Sequence, residues 1–369
     1  MEEGLSRDNP GMTFEKSLLE KTTVAHSSGV APSSGSPEPG VGPLVGIGSA
    51  SGHLGFWAAL ITVVIWTGFI VVARATADPT RGGSLTPWDV VYARILGASL
   101  VLLPWGAWLN RRDRQSGART RRAHGESSLA GLSPLSLRRT LQTGIFGGLL
   151  YAICAYSGFV YAPAAHASVL VPGSLPLWTA LLAVMVLGES IAPWRLVGLA
   201  CIVCGDLLVG GASLLHAFDG GDIWRGDLLF ISSSIAWSIY SVLVRRFSLD
   251  PVRATIAITS LAFVVYVPAY TLLAALGVPQ AHIFNAPLHE VAWQMLSQGV
   301  FSVAISGITF NLMIRRYGPV RSTMLTAIVP GLSAVCAAAF LGEPLAWNLI
   351  LGLALVTSGI LFGVWAGRR

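Results

Sequence analysis

Two glutamates stand out because the chain presents each in the same setting. PLWTALLAVMVLGES runs from Pro176 to Ser190, and PGLSAVCAAAFLGEP from Pro330 to Pro344. A proline therefore precedes Leu-Gly-Glu at one spacing in two places, 154 residues apart. In so apolar a setting, Glu189 and Glu343 are candidates to carry a proton or an ion. The competing role is turn chemistry, in which Gly188 and Gly342 close one helix and Pro193 or Pro344 opens the next. The turn, with the carboxylates hydrogen-bonded at the membrane surface, is the expected role. Pro176 and Pro330 fall in mid-run, where each removes a backbone hydrogen bond. They either kink the helix for packing or shape a cavity and lend it free carbonyls.

Other polar residues interrupt the apolar runs. Arg94 lies about seven residues into one of them, and an arginine at that depth costs about 2.5–3.5 kcal/mol on insertion scales. It needs Asp89 or another acid as a partner, or an anionic group on a solute. Asp206 is the complementary oddity, and an Arg–Asp structural pair is expected for it. With Asp227 it is a candidate coupling group. Asp227, Ser234, Ser238 and Ser241 are separated by 7, 4 and 3 residues, which puts them on one helical face. Trp237 sits beside that stripe. Trp66, Tyr151, Tyr156, His166, Gln298, Ser306 and Asn311 add aromatic or polar groups to other runs. Each of these could serve helix packing alone. Together with Arg94 and the two prolines they form a candidate binding set, aromatic and weakly polar, suited to amphipathic or aromatic solutes. His166 could titrate near neutral pH, although solvation near a helix end is the simpler account.

The elements that must hold these groups are membrane helices. The 369 residues are 53% hydrophobic and 11% charged, against about a quarter charged in soluble domains. The mean hydropathy is +0.65. From Phe56 onward, apolar runs near 20 residues are long enough to cross about 30 Å of hydrocarbon. Their continuity argues against a β-barrel. The expected spans are 55–74, 87–109, 140–160, 165–187 and 191–211, then 224–244, 254–277, 291–314, 319–341 and 345–366. Residues 1–52, rich in Gly, Ser and Pro, read as a disordered tail without the features of a signal peptide.

Short-loop arginines orient the chain. With the N-terminus cytoplasmic, 17 arginines of loops and C-terminal tail face inward and only Arg74, Arg81 and Arg225 face outward. Both termini are therefore expected in the cytoplasm. The run NRRDRQSGARTRR in the 110–139 loop lies between two spans without a binding module, so a nucleic-acid partner is not expected. It reads as a topology determinant attracted to anionic lipid. Cys154, Cys201, Cys204 and Cys336 all fall within apolar runs and read as packing residues. Gly144-xxx-Gly148 and Gly359-xxx-Gly363 read as close-contact faces, within one protomer or between two in a homodimer.

The 154-residue offset also aligns Ser168 with Ser322, Gly198 with Gly352 and Gly205 with Gly359. Trp66 and Arg74 match Trp237 and Arg245 at an offset of 171, the long loop taking up the difference. The chain thus divides into halves at 53–211 and 222–369, each with five spans. Five is odd, so the second half enters the membrane inverted, an architecture of secondary transporters. Ten spans in two inverted halves, each with P-x12-E in a Leu-Gly-Glu turn and then a glycine-bearing fifth helix, resemble EamA-type exporters of the drug/metabolite transporter superfamily. Tyr92-Ala93-Arg94 resembles that family's arginine-bearing second helix. The resemblance implies an all-α fold in the cell membrane, with a central cavity framed by the third, fourth, eighth and ninth helices. It also implies alternating-access export of small organic metabolites, amino acids or drugs, with no enzyme activity and no cofactor or metal. The alternatives are a nucleotide-sugar or sugar-phosphate carrier of the same superfamily and, more remotely, a membrane enzyme acting on lipid-linked substrates.

Overall fold

The computed structural model describes residues 50–77, 84–115, 127–190, 193–215, 221–326 and 328–366. Residues 1–49 of the expected tail and 116–126 of the arginine-rich loop lie outside them. Helix begins at Ala50, inside the expected tail. The helical segments are α1 Ala50–Ala77, α2 Pro87–Gln115, α3 Leu137–Tyr161, α4 Ala164–Leu187 and α5 Pro193–Leu215. They continue with α6 Ile223–Arg246, α7 Pro251–Ala275, α8 Leu288–Tyr317, α9 Pro319–Leu341 and α10 Trp347–Ala366. Eight of these are long and apolar enough to cross a bilayer, while α5 and α10 carry the shorter apolar stretches Leu196–Val209 and Trp347–Phe362. The described chain is all-α, its one β-type contact an isolated bridge between Ser128 and Ser133.

Polarity is distributed as a lipid solvent requires. Met185, Leu207, Phe340 and Trp347 face outward, whereas Ser238, Thr255, Gln298 and Asn311 are wholly buried. In hydrocarbon a hydroxyl or amide is stabilised only by another protein group, so polar side chains turn inward.

Four rods are not regular helices. In α3 the α-helix widens to a π-type turn over Ile145–Leu150, and in α8 over Met295–Ile305. The rod α4 passes through a π-type turn at Val169–Gly173 before its second piece, Leu175–Leu187. In α9, Pro319–Leu325 and Val329–Leu341 are separate pieces. The expected mid-helix kinks at Pro176 and Pro330 are therefore corrected. Both prolines stand in the first turn of a new helical piece, where no intrahelical N–H bond is needed.

The main helix pairings recur when the two sets of five are exchanged. The contact of α3 with α6 matches that of α8 with α1, and α4 with α6 matches α9 with α1. Likewise α2 with α8 matches α7 with α3, while α2–α7 and α5–α10 each meet directly. In the last pair a methyl added at Gly205 would sit 2.6 Å from the Gly352 carbonyl oxygen, and one at Gly359 would sit 2.4 Å from that of Gly198. Only glycine permits that approach, and its dense packing is the main attraction available where lipid removes the hydrophobic drive. The α6–α7 and α8–α9 junctions, with Arg245, Arg246, Arg253, Arg315, Arg316 and Arg321, mark an arginine-rich end of the bundle. The α1–α2 and α7–α8 junctions lie at the opposite end.

Candidate functional site

Arg94 is carried into the middle of the bundle by α2. A capping box starts that helix: the Thr86 N–H donates to Asp89 Oδ2 (2.8 Å) and the Asp89 N–H donates to Thr86 Oγ1 (3.2 Å). Asp89 is fully buried and also accepts from the Tyr270 hydroxyl and the His282 backbone N–H. It is thus occupied in pinning the 276–287 connection over the start of α2. It is not the partner of Arg94, and Asp206 is not either. On α5, Asp206 Oδ1 is buried without a hydrogen-bond partner, so the expected Arg–Asp pair does not form.

Arg94 is stabilised instead by hydroxyls and rings. Its Nη1 donates to Tyr156 Oη (2.9 Å) and Ser302 Oγ (3.0 Å). The guanidinium carbon lies 5.9, 5.8 and 5.6 Å from the ring centroids of Phe69, Tyr151 and Tyr156. Cation–π contacts contribute about 0.5–2 kcal/mol each and charged hydrogen bonds about 1.5–3, enough to offset the insertion cost without an acid. Among the described residues no carboxylate lies within 4.0 Å of it. Arg94 is 6% exposed, so its charge is not balanced by bulk water either.

Around it the helices assemble an aromatic chamber. Tyr156 donates to Gln298 Oε1 (2.7 Å). Trp66 Nε1 donates to Ser306 Oγ (3.2 Å), which donates to the Ser302 carbonyl (2.6 Å). Trp237 packs against Tyr151, Tyr240, Phe310 and Trp66 with centroids 4.8, 5.1, 5.7 and 6.0 Å away. Two cavities of about 20 and 10 Å³ adjoin Trp237, one lined by Arg94 and Ser302, the other by Trp66, Phe69 and Tyr151. Each has room for about one water molecule. The unused polar groups around the chamber include the Thr259 hydroxyl on the larger cavity, the Asn311 carbonyl oxygen behind Tyr240 and two donors. Trp237 Nε1 and Gln298 Nε2 are buried without acceptors, close in the network to a cation without an anion. Such a set holds a carboxylate or another acceptor-bearing group, and the rings suit an apolar body.

The expected set is brought together only in part. Arg94, Trp66, Tyr151, Tyr156, Trp237, Gln298 and Ser306 converge. Asn311 is bonded instead to Tyr240 Oη (2.6 Å) and Thr255 Oγ1 (3.1 Å). The α6 stripe is used up against α4: Ser234 Oγ donates to the Val171 carbonyl (3.0 Å), and Thr179 Oγ1 donates to Ser238 Oγ (3.1 Å). Pro330 packs near Gly173, and it is Pro172 and Leu175, rather than Pro176, that line the smaller cavity. Asp227 meets His166 Nδ1 at 2.9 Å, so His166 is paired rather than simply solvated. Phe69, Ser302, Phe310 and Tyr240 complete the chamber unforeseen. Ser302 precedes Ser306 by four residues and Phe69 follows Trp66 by three, spacings that share a helical face and could have flagged them.

The two Leu-Gly-Glu turns differ. Gly188 and Gly342 both adopt left-handed backbone, with φ of 68° and 65°, as helix-closing glycines do. Glu343 accepts from Arg74 Nε (2.9 Å) and from the N–H groups of Ala164 and Ala165 (both 3.3 Å). It thereby caps α4 and ties α9 to α1, while Arg74 Nη1 also donates to the Phe159 carbonyl (2.9 Å). Glu189 is exposed and has no partner among the described residues, and so is Arg245, the counterpart of Arg74.

Comparison with known proteins agrees with this architecture. The model of the EamA-like transporter family matches twice, over residues 53–211 and 224–365. An uncharacterized transporter of Bacillus subtilis, YyaM, is 24% identical over 219 residues, 59% of this chain and 69% of its own. An uncharacterized transporter of Archaeoglobus fulgidus is 28% identical over 186 residues, 50% of this chain and 54% of its own. A solved crystal structure shares the fold at TM-score 0.54 and 18% identity, covering 85% of this chain and 98% of that one. With apolar helices throughout and the family model matched over both halves, the chain is a multi-pass membrane protein that belongs to the EamA-like transporter family.

Proposed function

We propose that the chain is a secondary carrier that exports a small organic metabolite, amino acid or drug across the cell membrane, with both chain ends in the cytoplasm. The observation that carries this reading is Arg94, a buried cation with no acid beside it among the described residues, facing an aromatic chamber that also holds the free donors Trp237 Nε1 and Gln298 Nε2. A solute that brings an acceptor or an anion relieves that imbalance, so binding is favoured where the bundle is otherwise sealed. A nucleotide-sugar carrier would need several cations for its phosphates, and the chamber offers Arg94 alone among the described residues.

The two halves, of inverted sense, would rock about the chamber. In the described state the Glu343–Arg74 clasp holds the end opposite the arginine-rich one. Exchange of the halves' roles would release it and bring Glu189 to Arg245. Counterflow in proteoliposomes, with a panel of amino acids, carboxylates and cationic drugs, tests the reading. Arg94→Ala should lower counterflow of the preferred solute about 10- to 100-fold, the worth of a charged hydrogen bond, at equal reconstitution. Undiminished counterflow in Arg94→Ala would remove the site.

A further inference from the structure

A cavity of about 200 Å³ outside the chamber lies at the outer side of the bundle between α2, α3 and α7. Trp88, Val91, Ile153, Tyr266, Ala269 and Leu273 line it. It exists because α3 and α7 diverge. Toward the arginine-rich end they touch so closely that a methyl added at Gly144 would meet the Leu261 side chain at 2.6 Å, and one at Gly148 the Ile258 carbonyl oxygen at 2.9 Å. Toward the opposite end the contact between them thins, and the cavity lies in the gap. The matching seam, α2 against α8, has the same tight point: a methyl added at Gly299 would meet the Arg94 carbonyl oxygen at 2.8 Å.

This cavity continues the line of the Arg94 site. Trp88 and Val91 share a face of α2 with Ile95 and Ala98, which border the chamber's larger cavity. On α7, Tyr266 lies one turn from Ala262, and on α3 Ile153 adjoins Ala152, both chamber-bordering residues. Trp88 stands six residues before Arg94, about 9 Å along the helix. At the mouth, Trp88 and Ile153 are 38% and 42% exposed on the lipid side. The wall is mostly apolar, with Ser157 among its residues, and the Tyr266 hydroxyl is occupied by the Trp88 carbonyl (3.1 Å). An apolar cavity of about 150 Å³ takes up benzene, so this one has room for a ring or a short alkyl chain.

We infer that the α2–α3–α7 seam is the site for the apolar tail of an amphipathic carboxylate whose head is held at Arg94, and that such solutes reach the chamber sideways from the bilayer. Charge decides the occupant. A neutral lipid chain would fill the seam but leave Arg94 without an anion, whereas one amphipathic anion satisfies both places. The inference rests on the carrier reading and narrows its substrate class.

The test uses the full chain in nanodiscs, with empty discs subtracted, and displacement of labelled octanoate by acetate, butyrate, hexanoate, octanoate and decanoate. Affinity should rise about fourfold per methylene while the seam fills, then level off. Ala269→Phe, which fills the seam, should flatten the dependence on length and leave acetate within about twofold. Leu273→Ala, which widens it, should move the plateau to a longer chain, so the idea stays exposed if the filled variant misfolds. Arg94→Ala should weaken all five alike. Length dependence identical in all three seam genotypes would overturn the seam site. Binding of acetate through Arg94 without any gain from a tail would also overturn it, yet leave the carrier reading standing. Failure of every carboxylate to bind, alongside counterflow of a cationic solute, would sink both the seam site and the role of Arg94. Retention of a phospholipid in the seam that decanoate does not displace would assign the cavity to bulk lipid and refute the proposal.

Discussion

Glu343 and Glu189 are the same residue in the same local sequence, and the molecule treats them oppositely. Each follows a left-handed glycine at the end of a helix that begins with a proline in its first turn. At one end of the bundle the carboxylate caps α4 and grips Arg74; at the other it stands in solvent beside a small cavity of about 10 Å³. The lesson is that the Leu-Gly-Glu turn is an available joint rather than a fixed bond. On the proposed reading of the halves as inverted copies, a closed end implies an unmade contact at the other.

The sharpest way to break that comparison is to remove each carboxylate in turn. Glu343→Ala deprives Arg74 and two backbone donors of their partner. Discounted for their partial exposure, the loss should be about 2 kcal/mol, visible as a lower thermal midpoint in detergent. Glu189→Ala should change stability by less than about 0.5 kcal/mol while still slowing counterflow. If the two variants melt alike, the ends are equivalent and the asymmetry has no energetic content.

A smaller effect sharpens the assignment of the clasp. A double-mutant cycle on Arg74→Ala and Glu343→Ala should give a coupling of about 1 kcal/mol, and the same cycle on Arg245 and Glu189 about zero in the described state. Coupling in the second pair on addition of a transported solute would locate the alternate state. Coupling in neither pair would reduce the clasp to helix capping.

The smallest effect concerns His282, above the start of α2. Its ring nitrogens lie 2.6 Å from the Ser84 carbonyl and 3.0 Å from that of Pro279, so only the imidazolium can donate to both. The Ser84 carbonyl is the chief cause that holds its pKa above the ordinary 6.5, with Asp89 at 3.5 Å adding to it. On the α8 side Glu290 accepts from the Ser84 hydroxyl (2.8 Å). A raised histidine contributes stability that is complete below 6.5 and fades as pH climbs through the raised value. The thermal midpoint should therefore fall by about 1 °C between pH 6 and pH 9, and His282→Gln should abolish the slope. A slope that survives the substitution would remove His282 as its source.

Much of this fold is legible in the residues, because a bilayer imposes one strong constraint. The expected spans 165–187 and 319–341 agree with Ala164–Leu187 and Pro319–Leu341 to a residue, since hydrophobic length reads directly as helix. The candidate site is less legible. Ser234 and Ser238 lie on a face that any helical wheel turns inward, but a wheel cannot say whether α4 or a cavity meets them. Pro176 and Pro330 show where a helix cannot continue as it was. That the chain breaks just before them, through a π-type turn in α4, depends on neighbours far away in sequence.

By itself the sequence determined the helices, their all-α membrane character, the repeated Leu-Gly-Glu turn and the one arginine that has to be dealt with in hydrocarbon. These follow from local quantities, namely apolar length, backbone preference and the cost of a charge in lipid. Only the tertiary structure decided that Arg94 rests on rings and hydroxyls, that Asp89 and Asp206 are not its partners, that one glutamate is clasped and its twin free, and that a cavity opens between α2, α3 and α7. Those outcomes turn on which side chain reaches which across the bundle, and sequence spacing along a single helix carries no record of that.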